Sequence, residues 1–269
     1  MKLTLPAGLW SWQSVNVSIK NLQENWQKMA VQDPLWAVLA WDEKKNNKWN
    51  ELDFFNTGAG EIKSVMEYIQ SLGINLDKKS ALDFGCGVGR LTQPLSKYFE
   101  QVTGVDIAPA MIEKAKKLNS SANCNFILNT APNLEIFSDN IFSFVYSRLT
   151  LQHIKPVYAK KYIKEFIRIL KPGGLVIFVQ PYKIPFRLNY LGKVSTKEIL
   201  RIILPVPVQN LIRNVYGLLS NTPVMELHSM NKKTVENLLK QEKIEIINID
   251  EYGDLGPAWQ CFRYCVRKL

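Results

Sequence analysis

Cysteine and histidine are scarce in this 269-residue chain, with four of the first and two of the second. Cys86, Cys124, Cys261 and Cys265 have no regular spacing and do not read as a disulfide framework. Two histidines cannot complete the usual zinc patterns, so no metal site is expected. The thiols read as reduced and the compartment as cytoplasmic. Long apolar runs are also missing, and none approaches the roughly 20 residues that a spanning helix needs. At the N-terminus, Leu3 to Trp12 is interrupted by Pro6 and Gly8 and lacks a small-residue cleavage site, so no secretory signal is read there. A soluble protein is expected. Internal repeats and low-complexity tracts are absent.

Acidic residues are outnumbered, 24 against 34 basic ones, for a net charge of +10. Such a balance suits nucleic acid, an anionic membrane surface or an acidic substrate. The lysines, however, are scattered through Lys20, Lys44, Lys45, Lys78, Lys79, Lys116, Lys117, Lys160, Lys161, Lys232 and Lys233 instead of forming one aromatic-interleaved motif. A solvated basic surface is therefore the expected reading, and nucleic acid is not the expected partner. The 46% hydrophobic content is ample for a sizeable core.

Tryptophan is concentrated: six of the seven, Trp10, Trp12, Trp26, Trp36, Trp41 and Trp49, lie in residues 1–59. This stretch reads as an N-terminal extension docked by large apolar rings, with Trp36 and Trp41 candidates for a substrate pocket. After it, Ile62, Val65, Met66, Ile69 and Leu72 recur at helical spacing from Glu61 and stop at Gly73. A strand over Ser80–Phe84 feeds a glycine-rich turn, and a helix through Leu91, Leu95 and Phe99 must begin late or bend to tolerate Pro94. Strands are expected at Val102–Asp106, Cys124–Leu128, Ile141–Tyr146 and Leu175–Val179. Between them, helices start at Pro109 and at Pro156, the second ending at Leu170 before Lys171-Pro172-Gly173-Gly174. This alternation argues for a parallel sheet covered on both faces.

Residues 181–222 break the rhythm with Pro181, Pro185, Pro205, Pro207 and Pro223. Val208, Leu211, Ile212, Val215, Tyr216 and Leu219 make a helical apolar stripe in basic surroundings. The segment is expected to be a lid over the core, with weak membrane-surface contact through 183–219 as the other reading. A helix at Lys232–Lys240 and strands at Ile244–Ile249 and Trp259–Val266 follow. The loop between these strands is too short for a parallel crossover, so an antiparallel strand inserted into the sheet is expected.

The chemistry centres on Asp83-Phe84-Gly85-Cys86-Gly87-Val88-Gly89-Arg90. A dinucleotide fingerprint needs a glycine where Arg90 stands. Asp83 before the first glycine would repel a pyrophosphate but suits an α-ammonium, while bare amides at the following helix start suit a carboxylate. Asp106, closing the second strand, can accept two hydrogen bonds from a ribose diol. Ile107 and Thr130-Ala131 are placed to bracket a planar base. Amino acid, ribose and purine together describe S-adenosylmethionine.

Over residues 60–180 the chain resembles the class I S-adenosylmethionine-dependent methyltransferases. The resemblance rests on Leu82 to Arg90, Val105-Asp106-Ile107-Ala108-Pro109, Asn140-Ile141-Phe142, Leu170 to Gly174 and the closing antiparallel tail. It implies a three-layer αβα sandwich with a seven-stranded, mostly parallel sheet and an antiparallel last strand. It divides the chain into the extension 1–59, the cofactor-binding core 60–180, a substrate or lid insertion 181–230 and the completing helix and hairpin 231–269. Carried over, Asp83, Gly85, Cys86, Gly87 and Arg90 lie at the methionine end of S-adenosylmethionine. Asp106 holds the ribose, Ile107 and Met111 pack near the adenine, and Asn129, Thr130 and Ala131 meet its polar edge. Ser147 and Arg148 flank the methionine amine. Thr130 and Ser143 depart from the family, which often has acids there.

Methyl transfer from a sulfonium is an in-line displacement, for which the protein aligns the acceptor and excludes water. A hydroxyl acceptor benefits from a base, and His153, after the fourth strand, is the candidate. Tyr182 and His228 join Trp36 and Trp41 as acceptor-site candidates. The expected activity is methylation of a small-molecule or glycan acceptor on oxygen or nitrogen. The alternatives are a nucleic-acid or protein methyltransferase, a nucleotide-dependent oxidoreductase or a non-catalytic cofactor-binding module.

Overall fold

The structure, a computed structural model, describes residues 11–183, 204–220, 223–253 and 259–269. The chain opens with α1 (Ser11–Gln32) and α2 (Pro34–Val38), followed by α3 (Glu51–Ser71). Asp33 links the first two: its Oδ1 accepts from the Trp36 amide (3.4 Å) and its Oδ2 from the Asn47 amide (2.9 Å). Pro34 suits the first turn of α2, where no amide is needed. Asn50 caps α3 by accepting from the Asp53 amide.

The central sheet contains β1 (Ser80–Phe84), β2 (Gln101–Asp106), β3 (Cys124–Leu128), β4 (Phe142–Ser147), β5 (Leu170–Lys183), β6 (Ile244–Glu251) and β7 (Trp259–Lys268). Its order is β3-β2-β1-β4-β5-β7-β6. The first five strands pair in parallel, and β7 lies antiparallel between β5 and β6. The connecting helices are α4 (Thr92–Leu95), α5 (Pro109–Leu118) and α6 (Pro156–Ile169), with α7 (Val206–Ser220) and α8 (Lys232–Leu239) before the last two strands. On one face, Leu82, Phe84, Val145 and Phe178 pack with Tyr162, Ile163 and Phe166 of α6. On the other, Ala81, Phe144, Tyr146 and Ile177 pack with Ile62, Val65 and Ile69 of α3. These two cores make the three-layer αβα sandwich expected from the sequence. No helix among the described residues is long and apolar enough to cross a membrane.

Several boundaries differ from the sequence reading. Helix α3 begins at Glu51, so the division at 59/60 falls inside one continuous helix. Gly58 is buried in α3 against the Arg90 backbone, where a Cβ would collide with the Arg90 carbonyl. Pro94 is tolerated because α4 begins only at Thr92, leaving the proline in its first turn. Strand β5 runs through the division at 180/181 because it pairs with β7 out to Lys183.

Of the 181–230 insertion, residues 184–203 and 221–222 lie outside the described residues, as do Trp10 and the 254–258 part of the final loop. In α7, Val208, Leu211, Ile212 and Val215 of the apolar stripe are 38–62% exposed, whereas Gln209 and Asn210 are buried. The cause is polar pairing. The Asn210 side chain bonds the backbone of Leu227 at both N–H (3.3 Å) and C=O (3.0 Å).

Candidate cofactor and acceptor site

The site grows from the turn after β1. The amides of Gly85 (2.8 Å) and Cys86 (3.0 Å) both donate to the Val105 carbonyl, folding the chain back against β2. Gly85 (φ 75°) and Gly87 (φ 54°) are left-handed, a region that glycine enters at little cost. Both positions are also crowded. A side chain on Gly85 would meet Thr150, and one on Gly87 would meet Val38 of α2.

Two carboxylates flank the turn. Asp106, half-buried, accepts from the Gly87 amide through Oδ2 (2.9 Å) and from the Ala108 amide through Oδ1 (2.9 Å). Each oxygen keeps a lone pair for a ligand hydroxyl. Burial pushes its pKa up, against these amide hydrogen bonds. Asp83 is buried outright and accepts from the Thr92 hydroxyl (2.7 Å). Its burial pushes the pKa up to about 7, opposed by the Thr92 hydrogen bond and the Arg90 charge.

Glu61 of α3 gathers the groups beside them. Its carboxylate pairs with Arg90 Nη2 (2.9 Å) and Arg148 Nη1 (3.1 Å) and accepts from the Tyr146 hydroxyl (3.0 Å). Arg148 also donates to the Tyr252 hydroxyl (3.2 Å), with its guanidinium 4.9 Å from that ring's centre. Arg90 Nε is buried and has no hydrogen-bond partner among the described residues.

These groups line a recess of about 870 Å3 measured out to its open mouth. Asp83, Gly85, Cys86 and Gly87 form its floor, with Arg90 beside them, while Asp106, Ile107, Met111 and Asn129 form one wall. Arg148, Leu149, Thr150, His153 and Ile154 form the other wall, and Leu22, Trp26, Ala37 and Val38 of α1 and α2 roof it.

His153 lies in that wall with both ring nitrogens engaged. Nδ1 is 2.8 Å from the Glu226 carbonyl and Nε2 is 3.0 Å from the Gln152 amide nitrogen. This pairing assigns the proton to Nδ1, which donates, and the lone pair to Nε2, which accepts. Burial pushes its pKa down to about 4, so the ring is neutral at pH 7. Trp26 packs edge-on against it, with ring centres 5.1 Å apart.

The recess brings together Asp83, Gly85, Cys86, Gly87, Arg90, Asp106, Ile107, Met111, Asn129, Arg148 and His153. The other candidates lie elsewhere. Thr130 is exposed, and Ala131 offers its carbonyl to the Tyr162 hydroxyl (2.8 Å). Ser147 is buried and donates to the Phe84 carbonyl, which turns it into the sheet. Trp36 donates through Nε1 to the Trp41 carbonyl and lines a separate recess with Lys45, Arg213 and Met225. Trp41 is 45% exposed and packs on Trp49. Tyr182 packs against the core at the end of β5. His228 is held 3.0 Å from the Glu226 carboxylate, and its backbone amide donates to Gln152. Arg148 is a cation, so its charge opposes an amine neighbour and suits an anion. Sequence reasoning missed Glu61, Thr150, Leu22 and Trp26. Only Trp26 carried a signal, the tryptophan density itself.

The residues fit S-adenosylmethionine on three observations: a glycine turn with no room for side chains, a carboxylate with lone pairs facing the recess, and an orphaned buried guanidinium nitrogen beside the floor. Among the described residues, no group of three His, Cys, Asp or Glu could hold a metal ion.

Sheet order, glycine turn and strand-end acids are features of the class I S-adenosylmethionine-dependent methyltransferases, whose fold this chain shares. Within it, residues 82–178 match the family described as "Methyltransferase domain". A phosphoethanolamine N-methyltransferase of Triticum aestivum is 27% identical over 142 residues, 51% of this chain and 28% of that protein. A ubiquinone biosynthesis O-methyltransferase of Coxiella burnetii is 30% identical over 148 residues, 51% of this chain and 61% of that protein. The chain thus spans less than two thirds of the length of these relatives. The fold is shared with magnesium protoporphyrin IX methyltransferase from Synechocystis PCC 6803 with bound SAH, at TM-score 0.58 and 16% identity over 93% of this chain and 99% of that one. A Leishmania major SAM-dependent methyltransferase aligns at TM-score 0.61 and 14% identity, over 93% of this chain and 82% of that one.

Proposed function

We propose that this chain transfers a methyl group from S-adenosylmethionine to a small-molecule or glycan acceptor, on nitrogen or oxygen. The observation that carries this reading is the enclosure of the glycine turn, Asp83, Asp106 and Arg148 in one recess under an apolar roof. When bound, the sulfonium cofactor supplies an electrophilic methyl group. Asp106 would hold the ribose hydroxyls, Ile107 and Met111 would pack near the base, and Asn129 would meet its polar edge. Asp83 faces the α-ammonium. Leu22, Trp26, Ala37 and Val38 exclude water from the reacting centre.

The acceptor enters beside Trp26, Thr150, His153 and Ile154. His153 is the candidate proton acceptor by position. Burial depresses its basicity and Gln152 occupies Nε2, so the geometry favours an acceptor that needs no strong base, such as a neutral amine. The relatives' names support a small-molecule acceptor and both atom types, one acting on phosphoethanolamine nitrogen and the other an O-methyltransferase. Work in the cytoplasm belongs to the same reading.

Calorimetry with S-adenosylmethionine tests it. Micromolar binding that Asp106→Ala weakens at least about tenfold supports the assignment. Unchanged affinity in that variant sinks the ribose role. Full turnover by His153→Ala with a confirmed acceptor removes the base role.

A further inference from the structure

Glu61 is a buried carboxylate whose purpose the methyl-transfer reading does not by itself require. It stands on α3, outside the glycine turn, yet three groups converge on it. Arg90 comes from the end of that turn (2.9 Å), Arg148 from the end of β4 (3.1 Å) and the Tyr146 hydroxyl from within β4 (3.0 Å). The side chains of Glu61 and Arg90 are 8% and 3% exposed, and Arg148, at 26%, is the more open of the two arginines. The Glu61 Oε2 anchors both guanidinium groups, one contact each, while its Oε1 takes the Tyr146 hydroxyl.

Two arginines face one glutamate, Arg90 Nε lacks a partner among the described residues, and both arginines line the recess. Asp83, the next acid, is largely protonated below neutrality and takes its hydrogen bond from Thr92. Two guanidinium groups that share one carboxylate and leave a buried donor over offer contacts to a second carboxylate. We infer that Glu61 is a positioning residue: it orients Arg90 and Arg148 so that the pair receives the α-carboxylate of the cofactor's methionine end. The inference rests on the S-adenosylmethionine reading and adds a residue that touches neither cofactor nor acceptor.

Two cofactor fragments separate this role from simple support of the fold. S-adenosylhomocysteine carries the amino-acid end, whereas 5′-methylthioadenosine keeps the adenosine and sulfur but lacks that end. In Glu61→Gln, calorimetry is expected to show S-adenosylhomocysteine affinity reduced at least about tenfold and 5′-methylthioadenosine affinity within about twofold of the unaltered protein. Equal losses for both ligands, or no loss for either, overturn the inference. Should Glu61→Gln fail to fold, the unaltered protein decides. Decarboxylated S-adenosylhomocysteine must then bind at least about tenfold more weakly than the parent compound, and equal binding overturns the inference. If the unaltered protein binds neither S-adenosylhomocysteine nor 5′-methylthioadenosine, the cofactor assignment itself fails, a result distinct from either.

Discussion

Asp83 has its ordinary carboxyl pKa of 3.8 raised to about 7 by burial. Between those pH values the folded protein holds a proton that the unfolded chain has released. Folding stability from this residue therefore falls as pH rises from about 4 to 7. A ligand ammonium beside Asp83 favours the ionised form, so cofactor affinity is expected to increase between pH 6 and 8. Asp83→Asn should flatten that pH dependence in calorimetry and raise the melting temperature of the ligand-free protein at pH 8. A variant whose affinity still rises with pH would assign the titration elsewhere. Asp83 and Asp106 were legible in the sequence because strand ends fix where a carboxylate emerges. Glu61 was not legible, since its partners Arg90 and Arg148 lie on other elements and meet it only once α3 packs on the sheet.

At the scale of elements, α3 and the roof carry the predictions. Gly58 lets α3 approach the Arg90 backbone, so Gly58→Ala is expected to cost about 1–3 kcal/mol, read as a lower urea midpoint. Because the displaced carbonyl belongs to Arg90, cofactor affinity should fall with it. In the roof, Trp26→Ala removes the ring packed on His153. That change should raise the KM for the acceptor more than it alters adenosine binding, and equal effects would make Trp26 a fold residue only. The start of helix α5 and the bounds of strand β3 were readable because Pro109 opens the helix and Cys124–Leu128 is a compact, mostly apolar segment. The start of α3 was hidden in the tryptophan-rich stretch read as an extension over residues 1–59. Periodicity on α7 identified a helix but not which side it turns to the protein, which the pairing of Asn210 with Leu227 sets, leaving Val208, Leu211, Ile212 and Val215 exposed.

For the whole molecule, cofactor binding to the folded state alone raises stability by about 2.7 kcal/mol at one hundred times Kd. For a chain of this length the melting temperature should rise by roughly 5–10 °C with saturating S-adenosylhomocysteine. The +10 charge is spread over many separate lysines. Duplex DNA and RNA are therefore expected to show no saturable binding at low salt, and a steep salt-dependent isotherm would argue for a nucleic-acid acceptor instead. Layering and strand order followed from the alternation of apolar segments with helix signals. The use of each tryptophan did not, because ring orientation depends on how α1 and α2 settle on the core.

The position of β7 has a consequence for synthesis. By Lys183 a growing chain already contains all five parallel strands, but β6, completed at Glu251, pairs among the described residues only with β7. Emerging from a ribosome, β6 therefore waits without a neighbour until residues 259–268 arrive to wedge between it and β5. Closing that join spans about eighty residues of sequence, the kind of long-range pairing that slows folding. A nascent chain halted before Trp259 would expose the β5 edge, making β7 insertion the last step in sealing the sheet.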